Sequence, residues 1–186
     1  MKKLGLHDTL ETQRCILKIP EESEAEYIWN LITSDTIRYM IWEKGDDFST
    51  TLKNIKKTRI KVSAGEAWDA AIYDKNTGKH IGRCGINKID DTIPSFELGY
   101  WIAPEYYGQG IMPECIRRYL KFAFEQSSFE KGVIRCDSKN ENSKKVALKC
   151  GFTLEGEFKN HDRVKGELRD TSFYGITRQE YEKFSQ

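Results

Sequence analysis

The chain has almost no net charge, no long apolar run, no paired cysteines and only 3 histidines, and each shortage removes a class of function. Its 30 lysines and arginines against 29 aspartates and glutamates leave a formal charge of +1 over 186 residues. No overall field therefore draws it to nucleic acid or to an anionic membrane, and a polyanionic ligand has to be held by local groups. Nowhere do eighteen apolar residues run together, and Met1 to Thr9 lacks the apolar core of a signal peptide, so the cytoplasm is the expected location. The five cysteines, Cys15, Cys84, Cys115, Cys136 and Cys150, are odd in number and without metal-type spacing, which fits reduced, mostly buried thiols. His7, His80 and His161 stand alone, with neither metal-ligand nor nucleophile-base spacing, and no metal is expected. Repeats, low-complexity tracts and linkers are also missing. A chain of this length suits one domain over residues 1–186, with about 70% of the unfolded chain's surface buried.

What the chain does have is the stretch from Phe96 to Glu125, FELGYWIAPEYYGQGIMPECIRRYLKFAFE. A strand-like run, Phe96 to Ile102, leads through a turn to Gly108-Gln109-Gly110 and then into a helix-like run. Such a loop turns backbone N–H groups outward at the positive end of a helix, a ready seat for a pyrophosphate. A Walker loop is excluded because Ile111 and Met112 follow Gly110 in place of Lys and Ser or Thr. A dinucleotide fingerprint is excluded because its third small residue would be Pro113.

Further strands are expected near 14–19, 67–73, 80–88, 133–137, 152–158 and 171–176, separated by turn signals such as Asn76-Thr77-Gly78. Helices are expected at 24–32, with Ser23 and Glu26 as a capping box, at 50–62, at 141–150, and after Thr177, which pairs with Glu180 in a second box. The longest should follow the glycine loop, where Ile116, Tyr119, Leu120, Ala123 and Phe124 form one apolar stripe. This order of elements predicts an α+β (mixed α/β) domain with helices on both faces of a central sheet.

The order Ile102, Pro104, Tyr107, Gly108, Gln109, Gly110 resembles the acyl-CoA loop of the GNAT superfamily of N-acetyltransferases. Glu97-Leu-Gly-Tyr-Trp-Ile before it, Glu11-Thr-Gln-Arg-Cys-Ile-Leu-Lys near the start, and Asn140-x-x-Ser143 with Leu148-x-x-Gly151-Phe152 later are similar to the branch of ribosomal-protein N-terminal acetyltransferases. The resemblance runs from about Glu11 to Phe184. Two positions depart from the superfamily pattern: Tyr107, where Arg or Gln is usual, and Met112, where Gly or Ala is usual. The resemblance implies a mostly antiparallel, twisted sheet of about seven strands, acetyl-CoA as acyl donor, and an amine acceptor. The acceptor is the N-terminal α-amine of a protein or a small amine such as a polyamine or antibiotic.

Amide formation from a thioester sets three tasks: hold the donor, present a neutral amine, and stabilise the oxyanion and leaving thiolate. For the first, the backbone N–H groups of Gln109, Gly110, Ile111 and Met112, beside Gly108 and Tyr107, are the pyrophosphate candidates. The strand end at Trp101 and Ile102 is expected to pair with the pantetheine arm, and the resemblance implies a bulge there that frees an N–H for the thioester carbonyl. For the second, deprotonating an α-amine of pKa near 8 costs about 1.4 kcal/mol at pH 7, against about 4.6 for a lysine. Glu97 is the candidate base, acting directly or through water; its other reading is a strand carboxylate facing solvent. For the third, the resemblance implies Ser143 as donor to the thiolate and Asn140 as a contact to the CoA arm. Both are also residues that cap helices.

Lys144 and Lys145 are candidates for the adenosine 3′-phosphate, with Lys145 the preferred one. The cluster Lys53, Lys56, Lys57, Arg59 and Lys61 reads as a solvated helix face, since no aromatics interleave to stack on nucleic-acid bases. Trp29, Tyr39, Met40 and Trp42 are read as either a wall of the acceptor groove or plain core. Acceptor choice is assigned to 35–64 and the tail. The expected activity is direct acetyl transfer in a ternary complex, without an acyl-enzyme; a non-catalytic acyl-CoA sensor is the alternative. A homodimer is compatible with the chain.

Overall fold

A computed structural model describes residues 2–185. The apolar runs become strands β1 (Thr9–Glu11), β2 (Cys15–Lys18), β3 (Trp68–Asp74), β4 (His80–Asp90), β5 (Ser95–Ile102), β6 (Lys131–Asp137), β7 (Thr153–Val164) and β8 (Glu167–Thr177). The helices are α1 (Ala25–Leu31), α2 (Ser49–Ser63), α3 (Ile111–Lys121), α4 (Glu141–Lys149) and α5 (Arg178–Phe184). All eight strands join one sheet in the order β1, β2, β3, β4, β5, β6, β8, β7. Every neighbouring pair is antiparallel except β5 and β6.

The α+β sheet agrees with expectation, with one strand beyond the seven expected: β1, whose three residues alternate exposed, buried, exposed over too short a run to mark a strand. Central β4 is buried without a break from His80 to Ile86, as a strand covered on both faces must be. One apolar cluster joins the sheet to α3, α4 and α5 through residues such as Trp68, Phe96, Ile116, Tyr119, Ala147 and Tyr181. A smaller one, Ala25, Ile28, Ile32, Ile37 and Ile55, lies under α1 and α2 and reaches Met40, Trp42 and Trp101. All five cysteines are free and buried.

The stripe expected after the glycine loop is present, but α3 has 11 residues and then passes into a π turn over Phe122–Gln126, so α2, with 15, is the longest α-helix. The box at Thr177 and Glu180 forms as expected. The one at Ser23 and Glu26 does not: Glu21 and Glu24 make it instead, around a 3-10 turn preceding α1.

His80 is a structural group whose burial has a measurable cost. Burial first, and the charge of Arg83 second, lower its imidazole pKa to about 4, while Nε2 donates to the Gly82 carbonyl at 2.8 Å. The unfolded chain protonates this ring near pH 6.5 and the folded chain only near 4, so the stability present above pH 6.5 is lost as pH falls through that window. The loss amounts to about 3 kcal/mol below pH 4. His80→Phe should flatten the slope of urea midpoints between pH 6.5 and 4; an unaltered slope would assign the acid sensitivity elsewhere.

Candidate active site

The one parallel pair creates the site. β5 and β6 pair only at Ser95–Leu98 with Lys131–Ile134. Beyond that, β5 keeps β4 as neighbour out to Ile102 and β6 keeps β8 out to Asp137, but the two no longer hold each other. Two clefts of about 480 Å³ each flank this wedge. Both are lined by Tyr39, Met40, Tyr100, Trp101, Asn140 and Ser143.

The first cleft holds the glycine loop. Gly108 and Gly110 sit at φ +74° and +77°, a left-handed conformation that residues with a Cβ adopt at a cost, and Gly110 caps α3. Among the described residues, no backbone partner accepts from the N–H groups of Gly108, Gln109 or Gly110. Ile111 and Met112 open the helix, where an N–H has no carbonyl four residues back. A row of donors thus lies at the positive end of a helix dipole.

Arg14 steadies the loop from a distance. Its Nη1 donates to the Gln109 carbonyl at 2.9 Å, and its Nε and backbone N–H grip the Glu114 carboxylate at 2.7 and 2.8 Å. Tyr107, Gly108, Gly110, Ile111, Met112, Ile102 and Lys145 all line this cleft. Gln109 does not: its side chain turns back to donate to the Glu105 carbonyl. Met112, only 6% exposed, packs into the core, and Pro113 falls in the first turn, where a missing N–H loses no helical bond. Lys144 is committed to Glu141 at 3.2 Å.

The expected bulge at Trp101 and Ile102 is not there. β5 pairs continuously with β4 from Gly99 to Ile102, and the irregularity lies in β4, where Asn87 is the extra residue between Ile86 and Lys88. Its side chain lies against Gly99, where a Cβ would come within 1.9 Å of the amide nitrogen. The free edge of β5 comes instead from the departure of β6.

The second cleft is bounded by α2, β3 to β6 and the β7–β8 hairpin. Tyr39, Met40 and Trp42 line it as expected, together with Glu97, Asp162 and Thr171. Trp29 does not; its Nε1 donates to the Gly45 carbonyl and Lys44 lies 4.0 Å over its ring. Segment 35–64 supplies much of the wall, but the tail supplies none, its expected place being taken by β7 and β8. Glu97 faces the cleft rather than bulk solvent, with Oε1 held by Arg135 Nη2 at 2.9 Å.

At the waist between the clefts, Ser143 Oγ lies 2.7 Å from the Tyr100 hydroxyl. Asn140 is the N-cap of α4 and accepts from the Ser143 N–H at 3.1 Å, which fixes Ser143 at the helix start. The capping reading therefore holds for Asn140 and leaves the Ser143 hydroxyl available. Burial pushes the Tyr100 phenol well above its usual range, so it stays protonated as a donor, and the bond with Ser143 offsets part of that rise. Groups of three or more His, Cys, Asp or Glu that could hold a metal are absent among the described residues. No helix there is long and apolar enough to cross a membrane.

The family profile described as an acetyltransferase (GNAT) domain matches residues 14–153. The chain belongs to the GNAT acetyltransferase family. It is an acetyl-CoA-dependent N-acetyltransferase with the GNAT fold. The putative ribosomal N-acetyltransferase YdaF of Bacillus subtilis is 26% identical over 174 residues, covering 89% of this chain and 92% of its own. The structure of a putative ribosomal-protein-serine acetyltransferase from Vibrio cholerae superposes with a TM-score of 0.82 at 25% identity, covering 94% and 99%. The microcin C7 self-immunity acetyltransferase MccE, solved with acetyl-CoA and AMP, gives 0.83 at 26%, covering 89% and 93%.

Within this GNAT chain, Tyr100, Arg135, Asn87 and Asp162 were not singled out from sequence. Tyr100 alone left a signal, as the residue between Gly99 and Trp101 on the site strand. The others depend on register and on a hairpin far along the chain from α1 and α2.

Proposed function

We propose that this enzyme acetylates the N-terminal α-amine of a protein by direct attack on acetyl-CoA. The reading is carried by two clefts that share one narrow waist, an arrangement suited to donor and acceptor meeting in a ternary complex. The N–H groups of Gln109, Gly110, Ile111 and Met112, with Gly108 and Tyr107 beside them, would receive the pyrophosphate. Trp101, Ile102 and Asn140 would border the pantetheine arm, and Lys145 the 3′-phosphate. In the second cleft Glu97, with Oε1 engaged by Arg135, offers Oε2 to the incoming ammonium or to the water that takes its proton.

As the C–N bond forms and the C–S bond breaks, the amine gives up one proton and the departing sulfur gains one. The Tyr100–Ser143 hydroxyl pair, 2.7 Å apart, would supply the latter. An α-amine fits this machinery because it needs only about 1.4 kcal/mol to be neutral at pH 7, within reach of a weak acceptor such as a paired carboxylate. Relatives named for ribosomal proteins support the same acceptor. A small amine is the second reading, supported by a relative named for microcin C7 self-immunity and not for a ribosomal protein.

Mass spectrometry of a panel of N-terminal peptides, polyamines and aminoglycosides, with initial-rate kinetics, tests both. Acetylated α-amines and intersecting reciprocal plots are expected. Turnover confined to the small amines would overturn the protein acceptor, and parallel plots would overturn direct transfer.

A further inference from the structure

We infer that the acceptor carries an acidic side chain within the first few residues after its reacting amine, held at the α2 end of the second cleft. The inference rests on the N-terminal reading above. Lys57 and Thr58 stand three and four residues after Asn54, and Lys61 four and three after them, which puts all four on one face of α2. All four line the cleft, so two lysines of the basic cluster read from sequence as solvated are turned toward the acceptor. Their neighbours on the helix are used elsewhere: Lys56 pairs with Glu22 and Arg59 with Glu21. Among the described residues, Lys57 and Lys61 form no salt bridge.

Behind them Arg83, only 9% exposed, also lines the cleft. Its Nη2 is occupied by Asp69, at 2.8 Å to Oδ2 and 2.9 Å to the carbonyl, and by Thr58 Oγ1 at 3.4 Å. Its Nε is buried with no partner. That nitrogen is closed to solvent, so the cationic groups an entering carboxylate can reach at this end are Lys57 and Lys61.

The charge of the cleft is therefore graded. Arg83 with Asp69, Arg135 with Glu97, and Asp137 with Arg169 largely cancel. What remains is Lys57 and Lys61 at the α2 end and Asp162 on the hairpin, whose Oδ2 accepts from Thr171. An acceptor with its ammonium toward the carboxylates and a carboxylate toward α2 matches this grading, whereas a polyamine meets like charge there. Lysine stems reaching from a helix select the charge of a side chain, not the identity of the first residue.

Hexapeptides with Asp or Glu at the second, third or fourth position, their Asn or Gln counterparts, and their Lys counterparts decide the matter through kcat/KM at low and high salt. Acidic peptides should be preferred over their amide counterparts by about fivefold at low salt, through KM, with the preference shrinking as salt rises. In the Lys57→Glu/Lys61→Glu variant the order should invert, with lysine peptides ahead. Peptide turnover without charge preference in the parent, or a preference that survives in the variant, would overturn this inference and leave the N-terminal reading standing. No peptide turnover alongside acetylation of a non-peptide amine would overturn that reading and the inference with it.

Discussion

Tyr100→Phe is expected to lower kcat by about a hundredfold, with KM for acetyl-CoA within about twofold of the parent. The substitution keeps the partly buried ring against the core and removes only the hydroxyl 2.7 Å from Ser143 Oγ. Ser143→Ala should lower kcat by about tenfold, because Tyr100 retains its proton and stays at the waist. The two hydroxyls form one unit, so the double variant should lie near Tyr100→Phe rather than at the product of the two effects. Pre-steady-state measurement of thiol release separates chemistry from product loss. An unchanged rate in Tyr100→Phe would remove the pair from the mechanism.

Gly110→Val should weaken acetyl-CoA binding by about a hundredfold or more. A side chain at φ +77° costs about 1–2 kcal/mol even before β-branching is counted, and the chain relieves that strain by rotating the peptide. Rotation would turn the loop N–H groups away from the pyrophosphate they are proposed to receive, so the loss should fall on that seat. Gly166, at φ +84° with open space around it, supplies the control. Gly166→Val imposes comparable strain in the turn between β7 and β8, where Lys165 and Gly166 line neither cleft, and should lower stability while leaving calorimetric affinity for acetyl-CoA intact. Equal loss of affinity in both variants would show that strain, and not the seat, was being measured.

Much of this molecule was legible in the sequence because its signals are local. Gly108 and Gly110, the stripe from Ile116 to Phe124, the Thr177–Glu180 box and the Asn140 cap each depend on residues within a few positions of one another, and each stands where expected. The failures are of two kinds. Short or weakly patterned pieces gave no signal, as with β1, or gave a competing one, as when Glu21 and Glu24 took the cap expected of Ser23 and Glu26. The rest required knowledge of pairing. That β6 leaves β5 after Leu98, that Asn87 forms the bulge, and that Arg135 engages Glu97 all follow from register, which a single chain does not display. The lysines of α2 show the same division: their spacing was visible, and the surface they face was not.

Arg14 stands 95 residues before Gln109 and 100 before Glu114, yet it braces both. A nascent or partly opened chain whose first strands have not docked would therefore present the glycines without their brace. Donor affinity thus reports on completion of the whole domain. By mass action, an occupied loop should in turn protect the outermost strands from fraying, since the ligand favours only the state in which that long-range clasp is shut.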